Sequence, residues 1–412
     1  MRYYHKADYR PGIDDNAFSA DGRFEARTGF TRGRHQFGVL GWLEYGSQKD
    51  TYSEKRYLLG LGRTEPRLER MRRYVELNEL FWASNWGALD VTLGKKRLKL
   101  GVTPLYSLLD RASPGDFNDP LNSKPYGLWL LTVDAYKKGI RYSVTLLPFF
   151  IPSKAPSTRS RWLPVLEGSL IPKDFQFFDT GIDPISGISE NFPGGVHKIR
   201  LLSSAKTTLQ GWDLILVGTT GVSSAPVLRL GNPAGGETLL VREYIHATTA
   251  GFGFSTTAGK FELHGEGLFQ WSRQDKDDDF FTGIGGLTYT LDDLVHGIGL
   301  ERIVLTVDYA REAVADRQNR SGYLQSSSLI RFGQNDLFAL ASIQVNSDLF
   351  LEAIATLNLD DRGRIVLPGV RYRPRDGFWL KVRSDLFLGP STSFYGRWSK
   401  NNRLLVSFEY SF

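Results

Sequence analysis

Apolar and polar residues alternate along most of this chain with a period of two. Successive side chains of a strand point to opposite faces, so this period predicts strands that are greasy on one side only. In the last ten residues Leu404, Val406, Phe408, Tyr410 and Phe412 share one face, while Arg403, Ser407, Glu409 and Ser411 share the other, interrupted by Leu405. Phe261, Leu263, Gly265, Gly267, Phe269 and Trp271 oppose Lys260, Glu262, His264, Glu266, Gln270 and Ser272. The pattern recurs at Ile303–Tyr309, Leu349–Leu357 and Phe378–Val382, and near the start Phe24, Ala26 and Phe30 oppose Asp21, Arg23, Glu25 and Arg27. These segments run to about ten residues, the length of a tilted membrane-crossing strand, whereas soluble strands average about five or six.

Turns punctuate the strands in two alternating lengths. Short connections are TRGRHQ (31–36), SNWGA (84–88), KKG (137–139), QGW (210–212) and AGK (258–260). Long ones fall near 48–71, 101–126, 151–197 and 221–239. Short turns at one rim and long loops at the other characterise outer-membrane barrels. The fold class expected is therefore all-β: one transmembrane antiparallel up-and-down β-barrel over 1–412. It should have about 18 strands, within roughly 16 to 20. For the long loops to lie outside and the C-terminal strand to end in the periplasm, a strand must precede Phe18, and MRYYHKADYR can supply it.

Composition narrows the class. Hydrophobic residues make up 41% of the chain and mean hydropathy is −0.27, with no apolar run of the ~18 residues a spanning helix needs. Yet 13% of residues are aromatic, which a barrel explains through its apolar outer face and interfacial girdles. Cysteine is absent, removing disulfides and thiolate sites. The net charge of +6 comes from cations and acids finely interspersed, which argues against a nucleic-acid stripe. MRYYHKADYR has no apolar core of the signal-peptide kind, so a leader is expected to have been removed.

Five segments occur in a telling order: YYHKADYR (3–10), DNAFSADGRFEAR (15–27), YVELNELFW (74–82), ALDVTLGKKRLKLG (88–101) and LLDRASPGDFNDP (108–120). Together they resemble the outer-membrane porins that include alginate-export barrels and many uncharacterised proteobacterial porins. The resemblance covers residues 3–150 apart from the loop near 48–71, and the terminal strand. It departs where Lys95 and Lys96 replace an expected Arg and Gln, and the loop matches only through Asp110, Asp116, Asp119 and Pro120. It implies passage of a small or polymeric solute. The terminal strand ending in Phe412 resembles the signal read by the barrel-assembly machinery.

Candidate chemistry lies in the lumen. The strand from Ala88 to Leu100 changes phase at Gly94, where a kink could put Leu98 and Leu100 on the lipid side and Lys95, Arg97 and Lys99 inside. Two readings stay open: a basic ladder for anionic solutes, or a salt-bridge network with Glu76, Glu25 and Asp134. Further wall candidates are Arg23, Arg27, Arg141, Arg200, Arg371, Lys381 and Arg383, opposed by Glu44, Glu76, Asp134, Glu262, Glu266, Asp308 and Glu352. Rings of cations favour anions. The loop 151–197, with SKAPSTRSRWLP and FQFFDTGIDPISG, is a candidate for folding inward. None of the six histidines lies in a nucleophile or zinc-protease motif.

The leading expectation is thus a Gram-negative outer-membrane channel for small polar or anionic solutes, such as sugar acids. It is expected to need no metal or cofactor, to do no enzymatic chemistry and to bind no nucleic acid. Its surroundings would be outer-membrane lipids and lipopolysaccharide. The alternatives are an export pore working with periplasmic or secretion partners, and a rim enzyme or scaffold barrel.

Overall fold

The computed structural model describes residues 1–4, 17–47, 50–52, 66–69, 72–117, 119–151, 153, 161–162, 176–177, 199–231, 239–292, 295–324 and 331–411. Phe412, residues 5–16 and most of the loop 151–197 lie outside them. One 19-stranded sheet dominates. Its pieces Phe18–Ser19 and Asp21–Arg32 are separated only by Ala20 and form a single wall strand, which makes 18.

In chain order these are β1 (Arg2–Tyr4), β2 (Phe18–Arg32), β3 (His35–Gly46), β4 (Arg72–Asn85), β5 (Leu89–Lys96) and β6 (Leu128–Lys137). Then come β7 (Ile140–Leu147), β8 (Arg200–Leu209), β9 (Trp212–Val222), β10 (His246–Ala258), β11 (Phe261–Ser272) and β12 (Asp279–Leu291). The last six are β13 (Arg302–Asp316), β14 (Asn335–Gln344), β15 (Leu349–Asn358), β16 (Arg364–Arg375), β17 (Phe378–Leu388) and β18 (Arg403–Tyr410). Each pairs antiparallel with its neighbours in sequence, and β1 bridges β2 and β18 through Arg2↔Ser19 and Arg2↔Leu405. Because β1 has only three residues, the ring is nearly closed: among the described residues no pairing joins Asp21–Arg32 to β18.

Alternation sets which face is which. Phe24, Phe30, Leu263, Val307, Leu351, Phe408 and Tyr410 are exposed and occupy the apolar parity read from the sequence, and Leu216 and Val370 are exposed with them. So continuous an apolar exterior is tolerable only in lipid. The girdle at the short-turn rim is built of cross-strand aromatic pairs, among them Phe30–Phe37 at 4.8 Å and Phe261–Tyr289 at 4.5 Å. Short and long connections alternate as far as β11, with 33–34, 86–88, 138–139, 210–211 and 259–260 at one rim and 97–127 and 148–199 at the other, whereas beyond it the short-turn-rim connection 292–301 exceeds 273–278 and 359–363 opposite.

The kink expected at Gly94 is present: φ is +125°, and a Cβ there would sit 2.3 Å from the Leu80 carbonyl oxygen. Its consequence differs from the expectation. The strand stops at Lys96, and Leu98 and Leu100 face the interior rather than lipid, packed against buried clusters inside the barrel.

Candidate functional site

The inner wall carries an apolar patch that water would not favour. Leu202 on β8, Ile215 and Val217 on β9, Leu268 on β11, Ile284 on β12, Ala310 on β13 and Phe338 on β14 are all buried. What covers them is the connection 97–127. Its Leu98, Leu100, Val102, Leu105, Tyr106, Leu108 and Leu109 pack on the patch, so the loop folds inward to bury apolar area from both sides. Gly251 and Gly253 on β10 make the approach feasible, since a Cβ at Gly251 would lie 2.5 Å from Leu109 Cδ2 and one at Gly253 would lie 3.1 Å from Val102 Cγ2.

One carboxylate then holds the turn. Glu266 of β11 is buried and its Oε1 accepts from Val102 N (2.6 Å), Thr103 N (3.0 Å) and Thr103 Oγ1 (3.0 Å). Its Oε2 accepts from Ser107 Oγ (3.0 Å), Leu108 N (2.7 Å) and Leu109 N (3.0 Å). These donors satisfy every lone pair a carboxylate offers and remove four backbone N–H groups that would otherwise be orphaned. Asp110 closes the base of the turn by accepting from Leu100 N and Gly101 N. Tyr106 stacks on Phe338 at 5.5 Å, donates to the Phe332 carbonyl and accepts from Arg111. Burial pushes the Tyr106 phenol above its ordinary range, against the nearby Arg111 charge, which lowers it.

The far end of the loop is clasped to the last strands. Arg403 of β18 is fully buried and donates from Nη1 and Nη2 to the two oxygens of Asp119, at 2.7 and 2.9 Å. Its Nε donates to Asp385 of β17 at 2.6 Å, and its guanidinium lies 4.9 Å from the Trp162 ring centre. Burial alone would raise the Asp119 carboxyl, but Arg403, through its charge and hydrogen bonds, and then Arg2 outweigh it and hold the carboxyl below the ordinary value. A depressed folded value contributes stability above the unfolded pKa, which is lost only as pH falls through the folded one. The stability difference between the native protein and an Asp119→Asn variant is therefore expected to stay constant from about pH 7 to about pH 5 and to vanish only below 3.8. Denaturant melts in detergent across that range check this; a difference that fades near pH 5 counts against the clasp.

The loop thus leaves the wall at β5, is seated on β11 and is clasped at β18. Lys124 of its return limb pairs with Glu44 on β3, and Gly127 N donates to Asn78 Oδ1 at 2.7 Å. It crosses the lumen and narrows it. The sequence had pointed to the loop 151–197 for this role. Of that loop, Arg161 and Trp162 are buried against the inner side, Trp162 beside Phe387 and Trp398.

The sequence-predicted residues separate into three groups. Lys95 is 1% exposed, paired with Glu76 and donating to the Leu77 carbonyl. Of the ladder, Lys95 and Arg97 are thus ion-paired, as the salt-bridge reading has it, while Lys99 is exposed. Arg97 pairs with Glu79 at 3.0 Å, and Arg27 approaches the same carboxylate at 3.6 Å. Arg23 pairs with Glu25 at 2.5 Å and Arg141 with Asp134 at 2.7 Å; of the partners foreseen for the ladder, Glu76 serves Lys95 while Glu25 and Asp134 serve these other arginines. The third group is brought together. Lys381 and Arg383 of β17 stand beside Arg371 and Arg373 of β16, their side chains between 31% and 37% exposed. Their sequence neighbours Val370 and Tyr372 are exposed on the opposite, lipid face.

Arg373 was not singled out from the sequence, although it continues the parity of Arg371. Arg403 and Asp119 were noticed only as a polar-face residue and a weak motif. The signal for the inward loop was present in the apolar residues from Leu98 to Leu109, which suit neither a lipid-facing strand nor an external loop.

No family model matches the chain, and no curated protein matches it. Among solved structures, OccAB1 of Acinetobacter baumannii aligns over 99% of this chain and 94% of its own, with 10% identity and a TM-score of 0.48. A triple mutant of Rhodopseudomonas blastica porin aligns over 100% and 96%, with 10% identity and a TM-score of 0.43. Likenesses at this level add nothing to the reading of the lumen, and the resemblance to alginate-export barrels finds no support among them.

Proposed function

We propose that this chain is a passive channel of a Gram-negative outer membrane, narrowed by the loop 97–127 and favouring small anionic solutes. The observation that carries the reading is the water-reached row Arg371, Arg373, Lys381 and Arg383 on the lumen face of β16 and β17, whose Arg383 shares Asp385 with the clasp residue Arg403. Each has an acidic partner: Glu352, Asp348, Glu409 and Asp385. The first three pairs are part-exposed on both sides and worth about 0–1 kcal/mol each, so a passing anion can exchange with them cheaply. Glu79 serves both Arg27 and Arg97, so that part of the wall carries one more cation than its shared carboxylate balances. Cations lining a pore select for anions. Sugar acids are one class of that size and charge.

Planar-bilayer recording tests this. Steady open currents with a reversal potential on the anion side are expected. Replacing Arg371 and Lys381 together by Gln should move that potential toward cations, whereas Lys95→Met should leave it unchanged while lowering stability, since it strands Glu76. No steady current sinks the channel, and selectivity indifferent to the double change sinks the role of the row.

A further inference from the structure

The lipid face of β13–β16 has a feature the channel reading does not use. Its rows read Val307–Ala339–Ala355–Val366 and Leu305–Ala341–Ala353–Pro368. Four alanines therefore floor a shallow depression two strands wide, between larger side chains on β13 and β16. Above it the next row is Tyr309–Leu337–Leu357–Arg364, and above that Arg311 lies level with Asn335. Arg311, Arg362 and Arg364 are all exposed at this long-loop rim. The nearest acid to Arg311 is Asp360, at 3.9 Å with both side chains more than half exposed, which is a weak contact.

Cations facing lipid at a barrel rim need anions at headgroup depth, because Arg in the hydrocarbon costs about 2–4 kcal/mol while at the interface it costs little. Arg311 and Arg364 lie three strand spacings apart and two residues apart along the strands, about 16 Å in all. That separation is too wide for a single phosphate and suits two phosphates on a disaccharide. We propose that this sector binds one glycolipid of that kind, its phosphates on Arg311 and on Arg362 with Arg364, and an acyl chain over the alanine floor. The site rests on the outer-membrane placement proposed above, because such a lipid must be present at the long-loop rim. The arginines carry the assignment; the floor explains why a chain can lie close to the wall beneath them.

The test uses the whole protein in detergent, loaded with bis-phosphorylated lipid A, mono-phosphorylated lipid A, phosphatidylglycerol or phosphatidylcholine, and read by native mass spectrometry. Bis-phosphorylated lipid A should be retained best. Arg311→Ala with Arg364→Ala should weaken its retention about thirtyfold, from about a factor of five per cation at a membrane surface. Ala355→Phe, which fills the floor and leaves the charges, should weaken it as well. Retention of phosphatidylcholine equal to that of lipid A overturns the site, as does full retention by the double variant. Lipid-independent pairing of two copies through the alanine floor also overturns it. Bilayer currents of the same variants should match the native protein. A protein that passes no current yet holds the glycolipid loses the channel and keeps this site.

Discussion

Glu266→Gln is expected to release the turn at 102–109 and widen the channel. The amide keeps the shape of the carboxylate but offers one acceptor oxygen where two were used, and it turns an NH2 toward Ser107 Oγ, Leu108 N and Leu109 N. Hydrogen bonds to a charged group contribute about 1.5–3 kcal/mol each, and buried N–H groups left without a partner cost about 1–3 kcal/mol. These contributions do not add, because the loop can move out and be wetted. A loss of about 3 kcal/mol or more in the stability of the seated loop is therefore the minimum expected. Single-channel conductance should rise, with admission of solutes the native bore excludes. Glu262→Gln, two pleats nearer the short-turn rim on the same strand, is the control and should change neither. If the Glu266→Gln variant conducts and melts like the native protein, packing on the apolar patch holds the loop without the carboxylate.

The second large effect is expected at Arg403. Arg403→Met leaves Asp119 and Asp385 buried without the cation that both face. Removing one partner of a buried ion pair costs about 3–5 kcal/mol, because an uncompensated charge stays in a medium that solvates it poorly. Adding Asp119→Asn to Arg403→Met should recover part of that cost, and the coupling in the double-mutant cycle measures the clasp itself. The chain has no cysteine, so a spin label on Phe117→Cys, an exposed position of the loop, reports its mobility without background. The label should sharpen in the Arg403 variant. A spectrum unchanged from the native loop would show that Asp119 is not where this limb is held.

The barrel was legible because its cause is local. Every wall strand needs alternate apolar residues, and that requirement is written in each segment separately, from Phe24–Phe30 to Leu404–Tyr410. Rim assignment followed from loop lengths, which are also local. The narrowing was not legible, because it depends on meetings across the barrel. Leu98 and Leu100 look like lipid-facing residues until Leu202 and Leu268 are known to lie opposite them. Glu266 looked like one of several wall acids, and only the turn that comes to it makes it distinctive. Lys95 shows the same limit in reverse: the kink at Gly94 suggests a lining residue and does turn Lys95 inward, but onto Glu76 and out of reach of a solute. Lys381 and Arg383 were recognisable because their exposure needs nothing beyond strand parity.

The bond between Asp119 and Arg403 joins residues 284 positions apart. Contacts of such long range form late, since the intervening chain must first be ordered. The inward loop belongs to the first third of the polypeptide, yet its clasp waits for the final strand. A half-built wall therefore holds that limb through Lys124 on Glu44 and Gly127 on Asn78 but not yet at Asp119, and the clasp closes as the cylinder is sealed. Misassembled intermediates would leak, and the finished protein would be the first species in its own biogenesis able to discriminate what it lets through.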